Sequence, residues 1–242
     1  MEHNGTQSDV PQSSWRGLLK WGVVATIAMF VIILVVAMQV IPPLIIGIVL
    51  LAGGLWWLRR PGRRSVIFLA VVTTLLLLTN LPFALPAMAH PDSGLEFAVT
   101  GATLVALVIS IIAAAAELRS RRAPGGTPRR IAMAGSAVVV VLAVIGAVAA
   151  VSRENDTADA GDLALAAKSF EWTVETLTAK PGQLGVFIDN KDATRHDFKI
   201  KDVVHADLPA SKKTRVTFDA PAGSYEFICT LHPEMKGTLT VG

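Results

Sequence analysis

The chain has 242 residues, of which 52% are apolar, 17% charged and 6% aromatic. Soluble domains carry about 25% charged residues, so this depletion, with a mean hydropathy of +0.53, excludes an ordinary soluble globule and points to membrane segments. The net charge of +3 does not mark a nucleic-acid binder, because residues 152–242 carry more Asp and Glu than Lys and Arg and the basic excess lies in residues 1–151.

Residues 1–17 read as a cytoplasmic tail. The apolar segments then come in order as Leu18–Val40, Leu44–Leu58, Val66–Ala89, Phe97–Leu118 and Ile131–Val151. A hydrocarbon core of about 30 Å needs about 20 apolar residues in a helix, which every segment but the second supplies comfortably. Leu18–Val40 is too long for the apolar part of a cleaved leader and is followed by no small-residue cleavage pattern, so it reads as a span. Pro42-Pro43 separates the first two segments, since proline lacks the amide hydrogen and clashes with the preceding turn.

Loop charge decides whether the short second segment crosses. Arg59, Arg60, Arg63 and Arg64 follow it, and Arg119, Arg121, Arg122, Arg129 and Arg130 separate segments four and five. The connections Ile41–Pro43 and His90–Glu96 hold no Lys or Arg. Basic residues stay on the cytoplasmic side, and with Arg16 and Lys20 in or near the tail, every loop agrees only if all five segments cross. The expected architecture over 18–151 is therefore a bundle of about five transmembrane helices in the cell membrane, in contact with lipid. Its N-terminus is cytoplasmic and its C-terminus extracytoplasmic. Thr73, Thr74, Thr79 and Asn80, in the third segment, are polar but uncharged and read as interhelical hydrogen-bonding groups. Ion-coupled carriers place ionisable groups inside their spans and haem needs axial ligands such as His. Mid-span positions offer neither, so the bundle reads as an anchor or docking platform. Met88 and His90 fall at the outer end of segment three.

Residues 152–162, SRENDTADAGD, are polar and read as a flexible linker. Beyond them, over 163–242, apolar residues alternate in short runs: Phe170, Trp172 and Val174; Val186 and Ile188; Phe198 and Ile200; Val216 and Phe218; Tyr225, Phe227 and Cys229; Leu239 and Val241. Period-two alternation marks half-buried strands, and Lys180-Pro181-Gly182, Asp189–Asp192 and Ala220–Gly223 supply turns. About seven strands in this length predict an all-β Greek-key sandwich.

The last expected turn carries the chemistry. Cys229-Thr-Leu-His232-Pro-Glu-Met235 places a thiol, an imidazole and a thioether in one loop between two strands. His196 offers a second imidazole from an earlier strand. Two imidazoles, one thiolate and a weak axial thioether form the donor set that suits copper in both oxidation states. Zinc fits the first three donors but gains nothing from the thioether. With only one cysteine in the chain, a binuclear copper centre with two bridging thiolates is excluded. His205 competes with His196; it lies in VVHADLP, which reads as a connection with an exposed histidine, whereas His196 opens the strand-like HDFKI.

At these residues 163–242 resemble a cupredoxin. The loop Cys229–Met235 has the spacing of the amicyanin type within the plastocyanin-like group. Tyr225–Cys229 and Lys236–Val241 resemble that family's last two strands, and Asn190–His196 its segment before the first histidine ligand. The resemblance implies one type 1 blue-copper ion held by His196, Cys229 and His232, with Met235 axial, and His232 as the electron port beside Leu231 and Pro233. Asp197 departs from the family, which often has Asn, Ser or Thr there; by charge it is expected to favour the oxidised ion. The function implied is single-electron transport to a redox-partner protein at the outer face, with no small-molecule substrate. Copper capture and delivery, with Met88 and His90 as a relay, and service as a subunit of a larger membrane redox complex are the alternatives. An independent enzyme is disfavoured, because the donor set leaves the metal no open position.

Overall fold

The computed structural model describes residues 14–37, 40–119 and 127–242. The expected tail up to residue 13, part of the first apolar segment at 38–39, and Arg121 and Arg122 fall outside the described residues. Five helices come first: α1 Ser14–Ala37, α2 Pro42–Trp57, α3 Arg64–Met88, α4 Gly94–Arg119 and α5 Thr127–Ser152. Four of them, all but α2, are long and apolar enough to cross a membrane, which marks a membrane protein. At 1.5 Å per residue, the 16 residues of α2 reach about 24 Å. Pro42 opens α2, where a missing N–H costs nothing because first-turn amides have no intrahelical partner. α3 continues through Pro82 and Pro86, each removing one helical hydrogen bond.

The described residues divide into two compact units, 14–30, 42–80, 103–119 and 127–138 in one, and 31–37, 40–41, 81–102 and 139–242 in the other. In the first unit, the Arg16 guanidinium at the start of α1 donates to the carbonyls of Leu58 and Arg60 at 2.7 and 2.6 Å, beyond the end of α2. Arg63, just before α3, donates to Leu118 near the end of α4. α1 and α2 therefore run antiparallel, and the arginine-rich ends gather together. The hydroxyls of Thr26, Thr73 and Ser110 donate to carbonyls one turn back, satisfying themselves inside their own helices. Thr79 and Asn80 do the same, so Thr73, Thr79 and Asn80, expected to bond between helices, bond within α3.

The second unit contains nine strands: β1 Leu163–Lys168, β2 Glu171–Trp172, β3 Thr176–Ala179, β4 Gly182–Asn190, β5 His196–Ile200, β6 Val204–Leu208, β7 Lys213–Ala220, β8 Gly223–Ile228 and β9 Lys236–Val241. They form two sheets, β2-β1-β4-β7 and β3-β9-β8-β5-β6. β1 pairs parallel with β4 and β3 with β9, and the other pairings are antiparallel. The inward faces enclose Trp172, Val186, Ile188, Phe198, Phe218, Phe227 and Leu239. Phe198 sits at the centre, its ring 5.5 Å from Phe227 and 6.2 Å from Trp172. The fold is thus a helical region followed by a β-sandwich, as expected.

Three local expectations need correction. The segment VVHADLP is not a connection, since Val204–Leu208 form an edge strand in full register with β5. Phe170 does not continue a strand alternation with Trp172 and Val174, although it is partly buried against the core. It stands in a turn with Ser169, both at positive φ, and Val174 is exposed. Residues 152–162 are held along β7 despite their composition. The Asp156 N–H donates to the Lys213 carbonyl, the Arg215 N–H donates to the Asp156 carboxylate, and the Arg215 guanidinium grips Asp162 at 2.7 and 2.9 Å. β7 is an edge strand with unpaired backbone groups, and this segment supplies partners for them.

The helix ends in this unit also bond to the sandwich. Ser93 and Glu96 have the S-x-x-E spacing of a capping box, yet both side chains reach outward from α4. Ser93 Oγ accepts the Ala210 N–H, and Glu96 accepts the Arg195 N–H at 2.9 Å while facing the Arg195 guanidinium.

Candidate metal centre

Three of the four expected donors, His196, Cys229 and His232, meet at one end of the sandwich, and the fourth, Met235, lies in the loop that carries two of them. His196 is the first residue of β5 and fully buried; Cys229 directly follows β8; His232 and Met235 lie in the turn before β9. Two backbone bonds close that loop, from the Cys229 N–H to the Met235 carbonyl and from the Met235 N–H to the His232 carbonyl, both 2.9 Å. Pairing of β8 with β9 fixes both stems, so a short loop holds its donors without a helix or disulfide.

Cys229 Sγ stands 3.8 Å from His196 Nδ1 and 3.5 Å from His232 Nδ1, and the three donors lie within 4.8 Å of one another. Metal–thiolate and metal–imidazole bonds of about 2.3 and 2.0–2.1 Å, opened to trigonal or tetrahedral angles, put sulfur and nitrogen roughly 3.5–3.8 Å apart. The spacing fits one shared ion. Met235, in the same loop, is buried at 1% exposure and belongs to the sandwich core. His205 is outside this group; its Nε2 bonds to Asp197 Oδ2 at 2.7 Å on the outer face of the sheet.

The histidines are oriented from behind. His196 Nε2 lies 2.9 Å from Asp192 Oδ2. A carboxylate only accepts, so Nε2 carries the ring proton and Nδ1 presents its lone pair toward Cys229. Asp192 is itself held by the Ser169 and Phe170 N–H groups at 2.7 and 3.0 Å. Those bonds support the left-handed backbone at Ser169 and Phe170, and so place the Phe170 ring 4.8 Å from the His232 ring and 5.7 Å from that of His196. Asn190 anchors the segment, accepting from the Asp192 N–H and donating to the carbonyls of Thr194, Leu208 and Pro209.

Cys229 has a matching partner in Asp197, whose N–H points at Sγ at 3.5 Å. The Asp197 carboxylate joins the two donor segments by accepting the Thr230 N–H at 2.6 Å and the Thr230 hydroxyl. Burial pushes the Cys229 thiol up to about 11 and the His232 imidazole down to about 4, and it also lowers His196. Burial works against the Asp197 carboxylate, but hydrogen bonds from Thr230, Cys229 and His205 outweigh it and hold Asp197 below the usual carboxylate range. Asp192 is likewise held down, against its burial, by the Phe170 and Ser169 amides. Both imidazoles therefore offer lone pairs at neutral pH, while the thiol needs a cation to release its proton.

Residues 138–241 match a model described as a cupredoxin-like domain. Over these residues the chain is similar to cupredoxin-like domains. That match starts inside α5 and runs through β9. Among solved structures, amicyanin from Paracoccus versutus (Thiobacillus versutus) is 21% identical, over 35% of this chain and 85% of that one, with a TM-score of 0.31. The Cu(I) form of a point mutant of amicyanin is 22% identical over 38% and 95%, with a TM-score of 0.32. A copper-containing nitrite reductase from Thermus scotoductus is 22% identical over 38% of this chain and 24% of its own, with a TM-score of 0.30. No curated protein matches the chain in sequence.

Sequence reasoning missed Asp192, Phe170 and Thr230. Asp192 is a carboxylate four residues before His196, a spacing that signals little in a β segment. Its role depends on the Ser169–Phe170 turn, which arrives from another strand pair.

Proposed function

We propose that this chain is a membrane-anchored type 1 copper protein that moves single electrons at the extracytoplasmic face of the cell membrane. The observation that carries the reading is the donor cluster, with two Nδ1 atoms and one Sγ at metal-sharing distances and a buried methionine in the same loop. Copper held there would supply a one-electron couple, the thiolate suiting the reduced ion and the imidazoles the oxidised one. The protein's part is to hold the donors still. Asp192 fixes His196, Phe170 packs on both imidazole rings, and the Cys229–Met235 bond closes the loop. His196, Cys229 and His232 are the equatorial donors in this reading, and Met235 is axial.

The arginine-rich helix ends support the orientation. Arg16 binds the turn after α2, and Arg63 binds near the end of α4, so the basic residues share one end, which belongs on the cytoplasmic side. α2 then crosses as the second of five spans, and the domain after α5 is outside.

The buried donors favour an electron carrier over a copper-delivery protein, which must release its ion. Met88 also packs toward α4, its sulfur 3.6 Å from where a Cβ on Gly101 would stand, a helix contact rather than one step of a relay. The test is to cycle the copper-loaded full chain in detergent between oxidised and reduced forms beside a Cu(I)-specific chelator. Retention of copper through many cycles supports the carrier, and transfer within one reduction refutes it.

A further inference from the structure

Asp197 presents an unusual electrostatic arrangement. Its side chain is 3% exposed, and its N–H bonds to the Cys229 sulfur. A full negative charge thus lies buried next to the thiolate donor. Among the described residues its one ion-pair partner is His205, at 2.7 Å, with a side chain 54% exposed. A lysine or arginine in that place would neutralise the carboxylate permanently. A histidine does so only when protonated.

The surroundings of His205 are defined by the register. Lys199 lies directly opposite on β5, and Asp197 on that strand is two residues away. Asp207 follows on β6 itself. β7, which also approaches β6, carries Lys213, Arg215 and Asp219, of which Arg215 is committed to Asp159 and Asp162. Neutral His205 donates from Nε2 to the acceptor-only Asp197 carboxylate, which leaves Nδ1 as the atom that takes a proton.

Resting on the electron-transfer reading, we infer that His205 is the proton-responsive positioning residue of the centre, acting through Asp197 on the Cys229 sulfur. When the centre gains an electron from its partner protein, its charge falls by one, and His205 Nδ1 takes one proton from water. When the electron leaves, that proton returns to water. By linkage the effect is reciprocal: protonating His205 makes electron uptake more favourable, so the reduction potential falls as pH rises. With one proton per electron, a tenfold change in proton activity shifts the couple by at most tenfold, about 59 mV.

The test uses the copper-loaded full chain in detergent, as wild type, His205→Gln and His205→Asn. The amides keep a donor for Asp197 but cannot titrate. Potentials are measured from pH 5.5 to 8.5. The expected result is a negative slope in wild type and a flat line in both variants, with the visible copper band intact in all three. A second readout is nitrogen NMR of His205 with Cu(I) or with Zn(II), which differ by one charge; its titration should fall at higher pH with Cu(I). A wild-type slope that persists in both variants, or equal titration with both ions, would overturn the inference. A blue wild-type chain with a pH-independent potential would overturn this inference alone, whereas a wild-type chain with no blue band would overturn the electron-transfer reading as well.

Discussion

The helical region and the sandwich handle polarity in opposite ways. In the helices, apolar side chains such as Val35, Val49, Phe83 and Val151 are exposed, and hydroxyls turn back onto their own backbone. In the sandwich, apolar residues are interior, and buried polar groups including Asn190, His196, Asp197 and Thr214 cluster toward one end. The helices can tolerate many apolar sequences of the right length, because lipid asks only that backbone groups be satisfied internally. The sandwich end cannot, because each donor there is aimed by a named partner.

Phenylalanine truncation should break this comparison most visibly. Phe198→Ala removes a fully buried ring at the centre of the sandwich and should cost about 3–5 kcal/mol. Phe83→Ala, at 78% exposure on α3, should change the stability of the sandwich by less than about 0.5 kcal/mol. Hydrogen exchange of the sandwich amides in urea checks both. Asp192→Ala removes the group that orients His196, and should weaken metal binding by about 10–100-fold while leaving the helices unaffected. Competition with a metal chelator measures it.

Acid should separate the two regions next. His232, with its folded value near 4 below the ordinary value near 6.5, binds fewer protons folded than unfolded. Its stabilisation is complete above about pH 6.5 and is lost as pH falls toward 4. Asp192 and Asp197, both lowered, withdraw theirs at still lower pH. The metal-free sandwich should therefore unfold in acid before the helices do, as near- and far-ultraviolet circular dichroism would show. The smallest effect sharpens the comparison where it fails, at Glu96, a carboxylate of α4 that reaches the sandwich. Glu96→Gln keeps an acceptor for the Arg195 N–H but loses the charge facing its guanidinium. It should cost about 1 kcal/mol, read from amide exchange in β5.

What the sequence made legible follows the same division. Helix positions, the polar linker and the Cys229–His232–Met235 loop are local patterns, visible as runs, composition or spacing. The missed features depend on contacts between distant segments. β6 has few large apolar residues because it is an edge, so its alternation is faint until β5 pairs with it. The linker looks flexible until the open edge of β7 is known to lie alongside. Phe170 fits a strand pattern, and only Asp192, more than twenty residues later, shows why it turns left-handed and packs on the histidines. His205 was visible as a competitor for the metal, but its bond to Asp197 needed the register between β5 and β6.

The most direct test of the copper centre is the visible spectrum of the full chain in detergent after addition of Cu(II), beside Cys229→Ala. An intense blue thiolate-to-copper band in wild type that is absent from the variant is the predicted result. A colourless wild-type chain that takes up zinc or Cu(I) in its place would contradict the account.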